Sequence, residues 1–304
     1  MDYRKFHLCR RPFPATPDTS LYFPCRSAEL ALTQLQHALN NHEGLALLDG
    51  EPGIGKTIVG LRFLERLPAE LPRILIPAAK FSRPLELFQA MAFDCGAPYQ
   101  GLSESELRLS IVDRLLAGLS SGQPTILVLD EAQHLSAEIL EELRLLSNLE
   151  SRSRKAILIV LLALPSLRQR LANPELQSFA QRLVVRARLE RLDSEEARQF
   201  LAHQIQRSGG QFTRFFTEDA IGLLIEASQG IPRLLNQSAG LAMTFAAQAG
   251  EPQVDAEAVL EAVATLGLVV SGPVEESLPP TPSHRPQKPT RTAAKTKGQK
   301  RRTA

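Results

Sequence analysis

Leu45-Ala46-Leu47-Leu48-Asp49-Gly50-Glu51-Pro52-Gly53-Ile54-Gly55-Lys56-Thr57 is the stretch on which the reading of this 304-residue chain turns. Its first four residues are apolar and read as a buried strand. A glycine-rich turn follows, and Thr57–Leu67 then has the apolar spacing of a helix. Residues 50–57 satisfy G-x-x-x-x-G-K-[ST] between a strand and a helix, which is the context in which that pattern carries chemistry. Gly50, Gly53 and Gly55 allow a turn tight enough for successive backbone N–H groups to face inward, and the helix N-terminus adds partial positive charge.

Such a loop is built for phosphate. Lys56 is expected to reach the β- and γ-phosphates of ATP, and the Thr57 hydroxyl to take one position on Mg²⁺. Gly50, Glu51, Pro52, Gly53, Ile54, Gly55, Lys56, Thr57 and Ile58 form the expected nucleotide cradle.

Working outward, four more short runs rich in Leu, Ile and Val read as strands: Arg73–Ile76, Thr125–Leu129, Ile157–Leu162 and Leu183–Ala187. Near-continuous apolarity predicts strands covered on both faces, as in a parallel sheet. Helical patterns at Ser27–Leu39, Pro84–Phe93, Glu104–Leu119 and Ser136–Leu149 lie between them. Strand alternating with helix predicts a doubly wound α/β fold with a five-stranded parallel sheet.

The third of these strands runs into Asp130-Glu131-Ala-Gln-His134. Ligands of open α/β sheets bind at the carboxyl ends of the strands. Asp130 is expected to hold Mg²⁺ through water, and Glu131 to orient and polarise an attacking water. Taken alone, an apolar run ending in two acids also fits a helix-capping pair; the glycine loop at the expected distance favours the catalytic reading. His134 reads as a polar residue at a strand-to-helix turn.

After Leu192 no strand pattern recurs. Asp193 and Glu196 form a capping box for a helix with Ala197, Phe200, Leu201 and Ile205 on one face. Thr217 caps a second helix, Gly230 and Pro232 precede a third, and Asp255 starts a fourth. The expected organisation is an amino-terminal arm at 1–26, a P-loop ATPase core at 27–192, a small four-helix domain at 193–268 and a disordered basic tail at 269–304.

Hydrophobic residues make up 43% of the chain, ample for a core, and the net charge of +2 hides an asymmetry. Ser277–Ala304 carries eight Lys or Arg and no acid, leaving 27 basic and 33 acidic residues before it, a net charge of −6. The tail could contact the phosphates of duplex DNA without reading sequence, or serve only as a solubilising end. Cys9, Cys25 and Cys95 form no CxxC pair or Cys/His cluster, so a cytoplasmic protein with reduced thiols is expected. The opening residues are too polar for a signal peptide, and Ala156–Leu164 is about half the length of a membrane span.

Together these motifs resemble the AAA+ P-loop ATPases. The segment Gly230-Ile-Pro-Arg233-Leu-Leu-Asn236 is similar to their lid, in which an arginine senses the γ-phosphate. Phe6-His-Leu, Pro12-Phe13, Thr16-Pro17-Asp18 and Leu21-Tyr22 resemble the opening of the general secretion pathway protein A (ExeA) family, related to the transposition ATPases of the TniB, TnsC and MuB type. Asp-Glu-Ala-Gln, residues 143–150 and residues 167–171 fit the same group. The resemblance implies that Arg233 is the lid sensor and that Arg182 is an arginine finger acting on a neighbouring subunit. A solvated surface charge at Arg182, and a helix-start arginine at Arg233, are the plain alternatives.

The arm around Phe13–Tyr22 is expected near the adenine, or as an anchored segment. An ATP-dependent homo-oligomer acting on a protein client is implied, with a DNA-linked role or a slow nucleotide switch as alternatives. Two departures from the family pattern stand out. Ala163-Leu164-Pro165 replaces Gly-Gln-Pro after the fourth strand, and Ala78-Ala79 replaces Asn-Pro after the second. The missing polar group at Leu164 predicts slow hydrolysis.

Overall fold

The computed structural model describes residue 6, residues 8–151 and residues 154–269. The basic tail expected from the sequence lies outside the described residues. Five parallel strands form the sheet: β1 Leu45–Asp49, β2 Arg73–Ile76, β3 Thr125–Leu129, β4 Ile157–Ala163 and β5 Val185–Arg188. Their order is β2-β3-β4-β1-β5. A small antiparallel hairpin pairs Glu150–Ser151 with Arg154–Lys155.

The period of two along each strand sorts its side chains onto opposite faces. Leu45 and Leu47 of β1, Leu127 and Leu129 of β3, and Ile157, Ile159 and Leu161 of β4 enter one core. There they meet α3 (Pro84–Asp94), α4 (Glu104–Ser120), α5 (Ala137–Ser147) and α7 (Gln177–Arg182). The alternate residues Ala46, Leu48, Ile126, Val128, Leu158, Val160 and Leu162 face α1 (Arg26–Asn40) and α2 (Lys56–Arg66) in a second core. Sequence runs that are apolar throughout therefore fill a helix–sheet–helix sandwich. The outer strand β2 is blunted by Asp94, whose Oδ2 accepts from the Leu75 N–H at 3.0 Å. Such capping hides an unpaired edge group.

Register fixes the site. Asp49 of β1 lies opposite Ala163 of β4, and Leu129 of β3 lies opposite Leu161. The carboxyl ends of the three central strands thus finish side by side, and the glycine loop leaves from β1. After β4 the chain forms α6 (Pro165–Arg170), with Pro165 in its first turn where a missing N–H costs nothing.

Four helices follow: α8 Ser194–Arg207, α9 Glu218–Ser228, α10 Pro232–Ala249 and α11 Ala256–Thr265. The capping box is formed, since Asp193 Oδ1 accepts from the Glu196 N–H at 2.8 Å and Glu196 Oε2 from the Asp193 N–H at 3.4 Å. Thr217 and Asp255 cap α9 and α11 through the N–H groups of Ala220 and Ala258. These helices bury a core of their own, built on Phe200, Leu201, Leu224, Leu235, Met243 and Val259.

The amino-terminal arm joins both parts. Phe13 is buried in the lid core and meets the Phe216 ring at 6.4 Å. Tyr22 belongs to the second sheet core, where its hydroxyl donates to Glu29 Oε1 at 2.9 Å.

Candidate functional site

The glycine loop owes its path to two left-handed residues, Gly53 at φ 78° and Gly55 at φ 107°, and Gly55 is the N-cap of α2. A side chain at either would strain the backbone. Ile54 tucks into the sheet core and pins the crest of the loop. Lys56 is 7% exposed, and its Nζ donates to the carbonyls of Gly50 and Glu51, each at 3.0 Å. Burial pushes the ammonium pKa down, while the nearby Glu131 and Asp130 carboxylates push it back up. The cation is held inside the loop that phosphates would fill.

Thr57 Oγ1 donates to Asp130 Oδ2 at 2.5 Å, joining the start of α2 to the end of β3. Asp130 is 3% exposed, and its Oδ1 accepts from the Glu131 N–H at 2.8 Å. A hydroxyl and one carboxylate side by side fit Mg²⁺, which keeps waters and phosphate oxygens as its remaining ligands. Held there by Thr57 and Asp130, such an ion would neutralise charge on the β- and γ-phosphates of a bound nucleotide.

Glu131 has φ 56°, a left-handed conformation uncommon for a residue with a side chain. Its carboxylate is not free to swing. Gln133 Nε2 donates to Glu131 Oε2 at 2.5 Å, while Gln133 Oε1 accepts from the Leu164 N–H at 3.1 Å. Arg170 of α6 donates to the Gln133 and Leu135 carbonyls at 2.7 and 2.8 Å, so the segment after β3 is tied down. Sequence reasoning weighed His134 here and passed over Gln133. His134 is exposed, as a turn residue would be. An amide two residues after Glu131, in the run Asp130-Glu131-Ala-Gln133, was the available signal. It brings a polar group to the place where Leu164 supplies only its backbone.

Arg233 stands at the first turn of α10, against the loop. Its N–H donates to the Gly53 carbonyl at 3.1 Å, and a Cβ on Gly53 would lie 2.9 Å from Arg233 Cβ. Glu51 is held from the same side by Arg191, whose Nη2 meets Glu51 Oε2 at 2.6 Å. Asp49, 1% exposed at the end of β1, is paired with Arg168 of α6. Arg182 lies elsewhere. It is exposed at the carboxyl end of α7, close enough to Glu150 of the hairpin to lower that acid's pKa, although Lys155 contributes more.

A cavity of about 910 Å³ runs from the loop to the lid. Lys56, Thr57, Glu131, Leu164 and Arg233 line one part, and Phe13, Leu21, Phe200, Gln204 and Leu241 another. The volume is within the ~300–1,000 Å³ typical of small-molecule sites. The arm thus lines the cavity and is anchored in both cores as well. Among the described residues, no group of three or more His, Cys, Asp or Glu could hold a metal, and no helix is long and apolar enough to cross a membrane.

Comparison with known proteins agrees with this geometry. Residues 38–171 match the AAA domain family. Over 235 residues the chain is 36% identical to general secretion pathway protein A of Aeromonas hydrophila, a match covering 76% of this chain and 42% of that protein. It is 34% identical over 104 residues to the ATP-dependent target DNA activator B of Escherichia phage Mu, covering 34% of this chain and 31% of that protein. The matches therefore span less than half the length of these curated relatives.

Among solved structures, Cdc6p from Pyrobaculum aerophilum superposes with a TM-score of 0.67 at 20% identity, covering 92% of this chain and 75% of that one. The ORC2 protein of Aeropyrum pernix gives 0.65 at 18% identity, covering 84% and 71%. By its sheet, its glycine loop and these likenesses, the chain belongs to the AAA+ P-loop proteins, with an AAA domain related to that of general secretion pathway protein A.

Proposed function

We propose that the chain binds ATP with Mg²⁺ and hydrolyses it, coupling nucleotide state to assembly with further copies of itself and to a protein client. The observation that carries this reading is the Thr57–Asp130 hydrogen bond, which sets a hydroxyl and a carboxylate beside Lys56 with Glu131 on the same cavity. In the proposed step the loop N–H groups and Lys56 hold the β- and γ-phosphates. Glu131 orients the water that attacks the γ-phosphorus, and the bond to the β-γ bridging oxygen breaks, giving ADP and phosphate. Arg233 is positioned by its contact with Gly53 to report the γ-phosphate to the lid. The exposed Arg182 is free to enter a neighbouring copy's site, a placement that supports action between subunits.

The likeness to general secretion pathway protein A supports a protein client. The shorter likeness to the phage Mu protein, by name a target DNA activator, favours a second reading in which the ATPase works on duplex DNA. ATP turnover by wild type, Lys56→Ala and Glu131→Gln, with and without duplex DNA across a salt series, separates them. Turnover abolished in both variants and indifferent to DNA supports the protein-client reading. Stimulation by DNA that fades as salt rises moves the assignment to the DNA-linked one. Equal idleness of all three proteins removes the hydrolase and leaves a nucleotide-binding switch.

A further inference from the structure

The connector 189–193 between β5 and α8 carries a side chain that reaches both parts of the molecule. Arg191 Nε and Nη2 donate to Glu51 Oε2 at 3.0 and 2.6 Å, and Nη1 donates to Gln229 Oε1 at 3.1 Å. Glu51 follows Gly50 in the glycine loop. Gln229 is the C-cap of α9, left-handed at φ 50° and next to Gly230. A guanidinium is planar and rigid, so its three contacts keep a fixed geometry to one another. The Arg191 hydrogen bonds push the Glu51 carboxyl below its ordinary value, and the charge of Arg188 adds a smaller pull.

Glu51 also faces inward. Its carbonyl and that of Gly50 take two of the three ammonium protons of Lys56, each at 3.0 Å, and the third is left for a phosphate oxygen. A phosphate bound there pins Lys56, Lys56 pins the Glu51 backbone, and the Glu51 carboxylate anchors Arg191 against Gln229. Two backbone contacts flank this line: the Leu189 N–H donates to the Asp49 carbonyl at 2.9 Å, and the Arg233 N–H to the Gly53 carbonyl at 3.1 Å. Positions 49, 51 and 53 are thus each tied outward, and the middle tie runs on to the end of α9.

We infer that Arg191 is a positioning residue that carries phosphate occupancy of the loop, through Glu51, to the junction of α9 and α10. The inference rests on the reading of the loop as a nucleoside triphosphate site, and deepens it by naming a line to the lid beside that of Arg233. Arg191 is not among the residues lining the cavity, so it acts on the lid and not on the chemical step. The ion pair is partly exposed, and such a pair shifts an equilibrium by about fivefold at most. By linkage the same factor governs the order of the junction and the affinity for nucleotide.

The test is hydrogen–deuterium exchange of residues 229–235, with and without saturating Mg²⁺ and adenylyl imidodiphosphate, whose bridging nitrogen resists hydrolysis. In wild type the nucleotide is expected to slow exchange there about threefold to fivefold. Arg191→Leu should all but abolish the slowing. So should Gln229→Asn, which tolerates the left-handed backbone but is one methylene too short to reach the guanidinium. Affinity in both should weaken by no more than about fivefold. Arg188→Leu, which removes a charge near Glu51 but none of these hydrogen bonds, should behave as wild type. Slowing retained in the Arg191 and Gln229 variants would assign the coupling to Arg233 alone and overturn the inference. Equal loss in Arg188→Leu would overturn it too, since charge without contact would then suffice. Wild type that binds the analogue with no slowing overturns it while leaving the phosphate site standing. Binding no weaker in Lys56→Ala removes the triphosphate reading together with the relay.

Discussion

Adding one methyl group at Gly230 should cost far more than its size suggests. Gly230 sits between α9 and α10 at φ 72°, and a Cβ there would lie 2.1 Å from the Leu192 carbonyl oxygen. The two residues are locked back to back, since the Leu192 N–H donates to the Gly230 carbonyl at 2.9 Å. Carbon and oxygen need roughly 3.2 Å or more, so the junction between sheet and lid must part by about 1 Å. A left-handed backbone costs a non-glycine residue about 1–2 kcal/mol, and forced overpacking about 1–3 kcal/mol. The expected destabilisation for Gly230→Ala is therefore about 3 kcal/mol, or ~10 °C in Tm for a protein of this size.

Gly222, inside α9, is the control: a Cβ there would have nothing within 4 Å, and Gly222→Ala should stabilise by ~0.5–1 kcal/mol. Urea unfolding of the two variants, with slopes checked against wild type, measures both values. Because Arg233 follows Gly230 by three residues and touches Gly53, Gly230→Ala should also weaken ATP binding. If Gly230→Ala unfolds within ~0.5 kcal/mol of wild type, the argument from the close approach fails.

Three further outcomes follow from the site. Gln133→Leu frees the Glu131 carboxylate and strands the Leu164 N–H; kcat for ATP should fall about tenfold or more with KM little changed, and an equal kcat would refute the tether. Leu164→Gln adds a polar side chain to the cavity wall and should raise single-turnover hydrolysis, whereas an unchanged rate would show that Gln133 already suffices. Arg168→Leu leaves the buried Asp49 carboxylate unpaired and should destabilise by ~2–4 kcal/mol in urea unfolding, with Asp49→Asn in the same background recovering part of the loss.

The sheet was legible because its strands are covered on both faces. Leu45–Asp49 and Thr125–Leu129 are buried at every position, and that leaves an unbroken apolar run in the sequence. The last strand starts at Val185 and not at Leu183, because Leu183 fills the corner after α7 and packs into the core from there. The helices α6 and α7 have six residues each, too few for a period of 3.6 to show. The hairpin at Glu150–Lys155 is polar and carried no strand signal.

The glycine loop and the Asp130-Glu131 pair were legible because their local spacing, between a strand and a helix and at the end of an apolar strand, marks where they sit in the fold. Gln133 and Gln204 were not, for different reasons. Gln133 needed the register that sets Leu164 beside the end of β3. Gln204 looks like any glutamine on a surface helix until the arm covers it, and that cover is laid down some 180 residues earlier in the chain.

That arm changes the mechanics of the molecule. Residues 189–193 alone would be a ball joint, letting the lid swivel in any direction about the sheet. Phe13 is seated in one hydrophobic core and Tyr22 in another, so a second cord, at most roughly 30 Å when taut, runs in parallel with the first. Two tethers at separate points would favour turning about the line that joins them over twisting in other directions. A nucleotide that shifted α10 against Gly53, which the Arg233 N–H already touches, would pull on Tyr22 and α1 in the same stroke. Movement at the cavity would in this way reach the helices packed on the sheet as a directed displacement.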